Sequence, residues 1–317
     1  MKAAFLFPGQ GAQRVGMGAD LARDFPAAHA VYEEADSALG FALSRLCFEG
    51  PEAELILTSN TQPATLATSI AAMRAFQAEA GAGVEPVVAA GHSVGEYTAL
   101  VAAGALSFAD AIRAVRERGK LMEVACPPGM GTMAALMGLD IDTVLGVCAD
   151  VSREGELAVA ANLNAPGQVV IAGHTGAIKR AVESVKGRRG ATAIELKVSG
   201  PFHSPLMAPA RDGLRPVLEA ITLHPFRFGV ISNVTAEVNR DPHRLRALLL
   251  DQITSPVRWE DSMKTLAGSG ATGAFEFGAG RVLAGLMRRI DKGFKVRSIE
   301  DTSSLRAAVD ALAAGEA

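Results

Sequence analysis

Apolar residues follow two patterns along this chain: short continuous runs typical of buried strands, and longer stretches with the spacing of amphipathic helices. The first run predicts a strand over residues 3–7. Pro63 is predicted to begin a long alanine-rich helix that ends near Ala80, because proline is favoured in the first helical turn. Helical spacing recurs in several other stretches: residues 17–25, residues 27–39, from about residue 95, and from the predicted N-cap Ser107 to about residue 124.

The segment between residues 131 and 198 has a different order of patterns from the sequence on either side. Its elements are predicted as strand 132–137, helix 141–149, strands 157–163 and 168–172, helix 176–185 and strand 192–198. This βαββαβ order is that of a ferredoxin-like unit. The run Cys126-Pro127-Pro128-Gly129 breaks the preceding helical pattern. We therefore predict a small ferredoxin-like subdomain at residues 129–198, inserted into a discontinuous α/β subdomain formed by residues 1–128 and 199–317.

After residue 200 the pattern returns to longer helices separated by short apolar runs. The predicted elements are helices at 205–220, 242–252, 260–266 and 303–314, and strands at 229–232 and 273–277. Together with the strands near residues 5 and 89, these runs favour a central and mainly parallel sheet in an α/β fold.

Composition narrows the class of protein further. At 317 residues, the chain is long enough for two cores or for one large domain with an insertion. Its formal net charge of −3 gives no electrostatic reason to expect nucleic-acid binding. The three cysteines lack disulfide-framework or metal-ligand spacing, so neither a disulfide scaffold nor a metal site is expected. The apolar run at the start is too short for a signal peptide or a membrane span, so a cytoplasmic protein without membrane association is expected.

The run Gly91-His92-Ser93-Val94-Gly95 predicts a serine nucleophile. It follows the second strand and precedes a helix, which is the context in which a GxSxG turn exposes a serine hydroxyl at a helix N-terminus. The N–H of Val94 then lies at the same helix end, where it can stabilise the oxyanion of a tetrahedral acyl intermediate.

A serine nucleophile needs a base, and the chain has six histidines. His203 is the best candidate, because Gly200-Pro201-Phe202-His203-Ser204-Pro205 lies where the chain leaves the small unit, and such a junction lines a cleft. His92 flanks the nucleophile, but neighbouring side chains point apart at such a turn, so His92 is expected to support the site. No carboxylate is apparent from the sequence as the third member of a triad.

Several sequence blocks together resemble the malonyl-CoA:acyl carrier protein transacylase family. The blocks are Phe7-Pro8-Gly9-Gln10-Gly11-Ala12-Gln13, Gly91-His92-Ser93-Val94-Gly95-Glu96-Tyr97, Arg118-Gly119-Lys120-Leu121-Met122, Asn162-Leu163-Asn164-Ala165-Pro166-Gly167-Gln168 and Gly200-Pro201-Phe202-His203-Ser204. Their order and spacing match over nearly the whole chain. The resemblance implies a hydrolase-like core with a ferredoxin-like insertion, and an active site in the cleft between them.

The resemblance also implies roles for individual residues. Ser93 would accept the acyl group, His203 would be its base, and the backbone N–H groups of Val94 and Gln10 would form the oxyanion hole. In the family a backbone carbonyl orients the histidine in place of an acid, and Gln252 occupies the matching position. This would account for the missing carboxylate.

Substrate contacts are expected at four further positions: Arg118, His92, Asn162 and Phe202. A planar guanidinium can hold a malonyl carboxylate through two parallel charge-assisted hydrogen bonds. On its own, Arg118 also fits a solvated helix in a charged run, and the block it belongs to favours the binding role. In related domains an aromatic residue before the histidine and an aliphatic residue after the serine accompany malonyl selection, as Phe202 and Val94 would here. Gly200-Pro201 departs from many relatives, which leaves discrimination against a methylmalonyl group open.

The implied reaction is ping-pong transfer of a malonyl group from malonyl-CoA to the phosphopantetheine thiol of acyl carrier protein, in fatty-acid or polyketide synthesis. No metal or other cofactor is expected, since the coenzyme A thioester is itself the substrate. Two alternatives remain open: a serine thioesterase or esterase, and a catalytically silent module that docks carrier proteins. Intact Ser93, His203 and Arg118 disfavour the silent module.

Overall fold

A computed structural model describes residues 2–81 and 84–315 of the chain. The strands of this part are β1 (Ala3–Phe7), β2 (Val88–Gly91), β3 (Gly131–Met137), β4 (Ala158–Ala165), β5 (Gln168–His174), β6 (Thr192–Glu195), β7 (Gly229–Ile231), β8 (Val238–Asn239), β9 (Gly273–Phe277) and β10 (Val296–Ile299). They form two separate sheets, one of six strands and one of four.

The helices of the described residues are α1 (Ala19–Asp24), α2 (Pro26–Leu39), α3 (Leu43–Glu49), α4 (Glu52–Leu55), α5 (Thr58–Ala80), α6 (Val94–Ala102), α7 (Phe108–Val124), α8 (Ile141–Val151), α9 (Thr175–Val185), α10 (Ala208–Glu219), α11 (Pro242–Thr254), α12 (Trp259–Gly268), α13 (Val282–Ile290) and α14 (Thr302–Ala313). A short 3₁₀ turn at Pro205–Met207 leads into α10. No helix in the described part of the chain has the length and apolarity that a membrane crossing requires.

The large sheet has the strand order β10-β9-β1-β2-β7-β8, and all of its pairs are parallel except β7 with β8. Side chains of β1 alternate between two buried faces, as expected for a parallel sheet covered by helices. Phe5 and Phe7 lie in the apolar cluster that contains Phe76 on one face, and both pack against Phe277, whereas Leu6 belongs to the cluster that contains Trp259 on the other face. Because both faces are buried, the carboxyl ends of β1, β2 and β7 are the edge where polar chemistry can be placed.

The small sheet has the order β4-β5-β3-β6, with antiparallel pairs throughout. Helices α8 and α9 cover one face of it and enclose a separate apolar cluster. All four strands lie within residues 131–195. The predicted α/β fold, with a mainly parallel sheet and a βαββαβ unit, is confirmed; the predicted boundaries at 128/129 and 198/199 stay predictions.

The structure corrects the predicted start of the long helix. Helix α5 begins at Thr58, and Pro63 lies inside it. Residues 58–62 are polar and resemble a loop in sequence, yet all of them are buried. Gly119 of α7 allows this, because a Cβ atom there would lie only 2.6 Å from the Cα of Ser59. The predicted N-cap at Ser107 is confirmed, since its side chain accepts a hydrogen bond from the Asp110 N–H.

Candidate active site

Ser93 lies in the sharp turn between β2 and α6. Its φ of 53° is in the left-handed region, which residues other than glycine rarely adopt. A Cβ atom on Gly91 would lie 1.8 Å from the carbonyl oxygen of Gly95. A Cβ atom on Gly95 would lie 2.2 Å from the carbonyl oxygen of Phe7. The two glycines of the motif are therefore required by the close approach of the backbone, in keeping with a nucleophile elbow.

Asn233 holds this turn from the segment just after the neighbouring strand, β7. Its Oδ1 accepts a hydrogen bond from the Ser93 N–H at 2.7 Å, and its Nδ2 donates to the Gly91 carbonyl oxygen at 2.7 Å. The side chain is completely buried. Sequence reasoning missed Asn233. Its position just after β7, which pairs with β2, is the signal that the sheet order would have provided.

His203 lies beside Ser93, with Nε2 2.8 Å from the serine Oγ. Its other ring nitrogen, Nδ1, lies 2.8 Å from the backbone carbonyl oxygen of Gln252. Because a carbonyl oxygen only accepts, this contact assigns the proton to Nδ1 and leaves Nε2 to accept the serine hydroxyl. A backbone carbonyl thus stands where the carboxylate stands in a Ser-His-Asp triad.

The imidazole of His203 is neutral at physiological pH. Burial, followed by repulsion from the Arg118 cation, lowers the pKa of His203 from 6.5 to about 3. Both effects disfavour the imidazolium form. The side chain is therefore available as a proton acceptor at neutral pH, although it is a weak one before substrate arrives.

Arg118 is buried within the site, with 1% of its surface exposed. Its Nη2 donates hydrogen bonds to the Ser93 Oγ at 3.1 Å and to the Gln252 Oε1 at 3.0 Å. Its Nη1 donates to the Gln62 Oε1 at 2.7 Å. Burial lowers the pKa of Arg118, and no carboxylate among the described residues forms an ion pair with it. The solvated-helix interpretation of this arginine is therefore wrong.

A cavity of about 300 Å³ opens over Ser93 and His203. Strand residues of the small sheet line it on one side, and residues from the loops after β1 and β2 and from helices α5, α6 and α7 line it on the other, which places the candidate site between the two units. The sequence-predicted residues among its lining are Gln10, His92, Ser93, Val94, Arg118, Asn162, Phe202 and His203. Gln252 lies behind this wall, where it is completely buried and contacts both His203 and Arg118.

Gln10 and Val94, whose N–H groups are the predicted oxyanion donors, line this cavity. Among the hydrogen bonds of the described residues, neither N–H has an acceptor. Val94 is also the first residue of α6, where the helix dipole favours negative charge. Both groups therefore have free donor capacity at the cavity wall.

The side chains of His92 and His203 have different hydrogen-bond partners. Its Nε2 lies 2.9 Å from the Oδ1 of Asn164, and its ring packs 5.3 Å from the ring of Trp259. Burial lowers the pKa of His92. The side chain is thus fixed by its own contacts, in keeping with a supporting position next to the nucleophile.

Glu96, which sequence reasoning did not assign, is a buried carboxyl group close to the site. It is 2% exposed, and its Oε2 accepts hydrogen bonds from the Gln252 Nε2 at 2.6 Å and the Asn233 N–H at 3.1 Å. Burial raises the pKa of Glu96 from 4.5 to about 7. Within residues 2–81 and 84–315, no cluster of three or more histidine, cysteine or acidic side chains could hold a metal ion.

The sequence matches a profile described as "Acyl transferase domain" over residues 4–289. The chain belongs to the acyltransferase family. A malonyl CoA-acyl carrier protein transacylase of Bacillus subtilis (strain 168) is 45% identical over 311 residues, which cover 98% of this chain and 97% of that protein.

Solved structures of other acyltransferases have the same fold as this chain. An acyl-carrier-protein S-malonyltransferase of Burkholderia pseudomallei 1710b superposes with a TM-score of 0.93 at 45% identity, covering 98% of this chain and 100% of that one. A malonyl-transacylase in complex with a type II PKS acyl-carrier protein superposes with a TM-score of 0.94 at 42% identity. That alignment covers 98% of this chain and 99% of the other. The resemblance inferred from the sequence blocks is confirmed.

Proposed function

We propose that this acyltransferase moves a malonyl group from malonyl-CoA to the phosphopantetheine thiol of acyl carrier protein. The observation that carries the proposal is the buried guanidinium of Arg118, 3.1 Å from the Ser93 hydroxyl. A carboxylate one carbon beyond the reacting carbonyl can reach that cation while the carbonyl lies over Ser93. The relatives named above support the same reaction, since they are malonyl transferases.

In the first half-reaction, the Ser93 Oγ attacks the thioester carbonyl while His203 Nε2 takes the hydroxyl proton. The N–H groups of Val94 and Gln10 hold the resulting oxyanion. When the intermediate collapses, the carbon–sulfur bond breaks and the proton on His203 passes to the departing coenzyme A sulfur. The product is a malonyl ester of Ser93, and His203 is neutral again.

In the second half-reaction, the carrier thiol gives its proton to His203 and attacks the malonyl-serine ester. Collapse of this intermediate returns the proton to Ser93 and releases malonyl-acyl carrier protein. No metal or further cofactor takes part in this scheme. The cytoplasm, where both substrates of such a reaction would be found, is the proposed location.

Selection of the acyl group rests on the chemistry of Arg118. A substrate without a carboxylate leaves this buried cation without an anionic partner, and sites built around an obligatory polar partner can discriminate by ~10⁴–10⁵. Phe202, 8% exposed, and Val94 border the same cavity and limit the room beside the malonyl C2. Asn162 and His92 line the same cavity and are proposed as further substrate contacts.

Intact-mass measurement after mixing with malonyl-CoA tests this proposal directly. One malonyl group should be added to the protein, and Ser93→Ala should abolish the adduct because its nucleophile is missing. His203→Ala should slow acylation by a factor on the order of 10²–10⁴, the usual contribution of a positioned acid-base group. A thioesterase would instead release free malonate without accumulating the ester, and a silent docking module would give no adduct. An adduct that survives in Ser93→Ala would refute the assignment of the nucleophile.

A further inference from the structure

The side chain of Gln252 connects two buried ionisable groups, Arg118 and Glu96, that do not contact each other directly. Its Oε1 accepts a hydrogen bond from Arg118 Nη2 at 3.0 Å, and its Nε2 donates to Glu96 Oε2 at 2.6 Å. All three side chains are at most 2% exposed. Water therefore cannot replace any of these hydrogen bonds without a rearrangement of the site.

The orientation of the Gln252 amide follows from the atoms around it. Its Nε2 faces three oxygens: Glu96 Oε2, the Ser93 carbonyl oxygen at 3.2 Å and Asn233 Oδ1 at 3.4 Å. A flipped amide would set its oxygen against these acceptors and its NH₂ group against the Arg118 cation. Of the three acceptors, Glu96 is the nearest and the only carboxyl group, so it is the main determinant of this orientation.

Arg118 is consequently held by neutral oxygens. Gln62 binds Nη1 and Gln252 binds Nη2, so the plane of the guanidinium is set by two amide groups. A carboxylate placed directly on Arg118 would orient it equally well, but it would form an ion pair that the substrate carboxylate would have to break. The amide of Gln252 transmits the orienting effect of Glu96 while it leaves the charge of Arg118 available.

We propose that Glu96 is a positioning residue for acyl selection, which acts through the Gln252 side chain to hold Arg118 in the orientation that binds the substrate carboxylate. This inference rests on the proposed malonyl transfer. It assigns to the Gln252 side chain a role separate from that of its backbone carbonyl, which contacts His203. Substitution of the side chain leaves that carbonyl in place.

The test compares kcat/KM for acylation by malonyl-CoA with kcat/KM for acylation by acetyl-CoA. Glu96→Met and Gln252→Met should each lower the malonyl-to-acetyl ratio on the order of ten-fold, because each removes a buried hydrogen bond of the chain that orients Arg118. Glu96→Gln should keep most of the wild-type malonyl-to-acetyl ratio, since the new amide oxygen can accept the same hydrogen bond from Gln252. A general loosening of the site would slow both acyl groups together and leave the ratio unchanged.

Glu276→Met is the matched control. Glu276 is also a completely buried carboxyl group, but it accepts hydrogen bonds from the N–H groups of Leu283 and Ala284, at the start of α13. Its loss should lower thermal stability without changing the malonyl-to-acetyl ratio. Circular dichroism and thermal melting establish that each variant is folded.

The outcomes separate this inference from the proposed function. If wild-type protein forms a malonyl adduct but Gln252→Met keeps the wild-type ratio, the positioning role is refuted and malonyl transfer stands. The same conclusion follows if Glu96→Gln lowers the ratio as far as Glu96→Met does. If Glu96→Met does not fold, Gln252→Met and Glu96→Gln still decide the question. If wild-type protein forms no malonyl adduct, the proposed function itself fails.

Discussion

Removal of the Arg118 charge should raise the pKa of His203. The guanidinium Nη2 lies 3.1 Å from the Ser93 Oγ, and His203 Nε2 lies 2.8 Å from the same oxygen. The cation and the imidazole nitrogen are therefore separated by at most about 6 Å. At an effective dielectric constant of about 20, two unit charges at that distance repel by about 3 kcal/mol. This is equivalent to about two pKa units.

The sign of the change follows from which form of the imidazole is charged. A neighbouring cation disfavours the imidazolium, so Arg118→Met should move the pKa of His203 upward from about 3 to about 5. Burial, which is the larger cause of the low value, remains in the variant. The pKa should therefore stay below the ordinary histidine value of 6.5.

The assay is NMR titration of imidazole-labelled protein between pH 4 and pH 8. The His203 signal is identified by its loss in His203→Ala. The chemical shift of this signal should be nearly constant over this pH range in the wild type. In Arg118→Met it should change with pH, with a midpoint near pH 5. The pH profile of acylation by acetyl-CoA provides a second readout, since its acid limb should move to higher pH in the variant. An unchanged or lower pKa of His203 in Arg118→Met would refute the electrostatic argument.

Arg116→Met is the matched control for this experiment. Arg116 belongs to the same helix, α7, but its guanidinium bonds to Asn60 and lies 5.1 Å from the ring of Phe41. Its loss removes one positive charge from the protein without removing the cation beside Ser93. The titration of His203 should therefore be unchanged.

Three further predictions follow from the same site and its surroundings. Arg118→Ala should lose malonyl transfer while it keeps or gains acetyl transfer. Arg118→Lys should recover little of the malonyl transfer, because an ammonium group cannot form two parallel hydrogen bonds to a carboxylate. An equal loss of both transfer rates would show that Arg118 has only a structural role. Glu96→Gln should unfold at higher urea concentration than wild type above pH 7, because burial raises the pKa of Glu96 to about 7 and ionisation destabilises the folded state. At about 1.4 kcal/mol per pKa unit, the free energy of unfolding of the variant should exceed that of the wild type by about 3 kcal/mol. This difference should disappear near pH 4, where the carboxyl group of Glu96 is protonated in both folded and unfolded protein. Arg188 and Arg189, two exposed basic residues after α9, offer a surface that would attract an acidic carrier protein. Arg188→Glu combined with Arg189→Glu should therefore raise the KM for acyl carrier protein and leave acylation by malonyl-CoA nearly unchanged; unchanged carrier kinetics would favour another basic region, such as Arg288, Arg289 and Lys292.

The features that the sequence predicted are those with a local signal. The turn around Ser93 needs glycines on both sides, and the cap at Ser107 needs a hydroxyl before a helix; both are visible within a few residues. Asn233 and Glu96 have no such signal. Asn233 reaches the nucleophile across 140 positions of sequence, through the pairing of β2 with β7. Only the strand order brings it there, and sequence periodicity does not determine that order.

Helix α13 and strand β10 were missed for a related reason. Helix α13 has helical spacing of its buried residues Leu283, Leu286 and Met287, but it has no capping side chain at its N-terminus, where Arg281 stands, so no start signal marks it. The carboxylate of Glu276, from the end of β9, accepts the N–H groups of Leu283 and Ala284 instead. Strand β10 is a four-residue edge strand with mostly half-buried side chains, so it shows no clear apolar run. In both cases the stabilising partner is supplied by a neighbouring element of the fold.

In the proposed mechanism, the contact between Arg118 and Ser93 would also affect how the acyl group is selected. A bound malonyl carboxylate would balance the charge of Arg118 and so remove part of the repulsion that lowers the pKa of His203. The base would then become more basic at the moment when the correct substrate is in place. An acetyl group would leave the cation uncompensated and the imidazole a weaker proton acceptor. In the proposed mechanism, discrimination should therefore appear in the rate of the acylation step as well as in substrate binding, because the residue proposed to bind the carboxylate also lowers the basicity of His203, the proposed base.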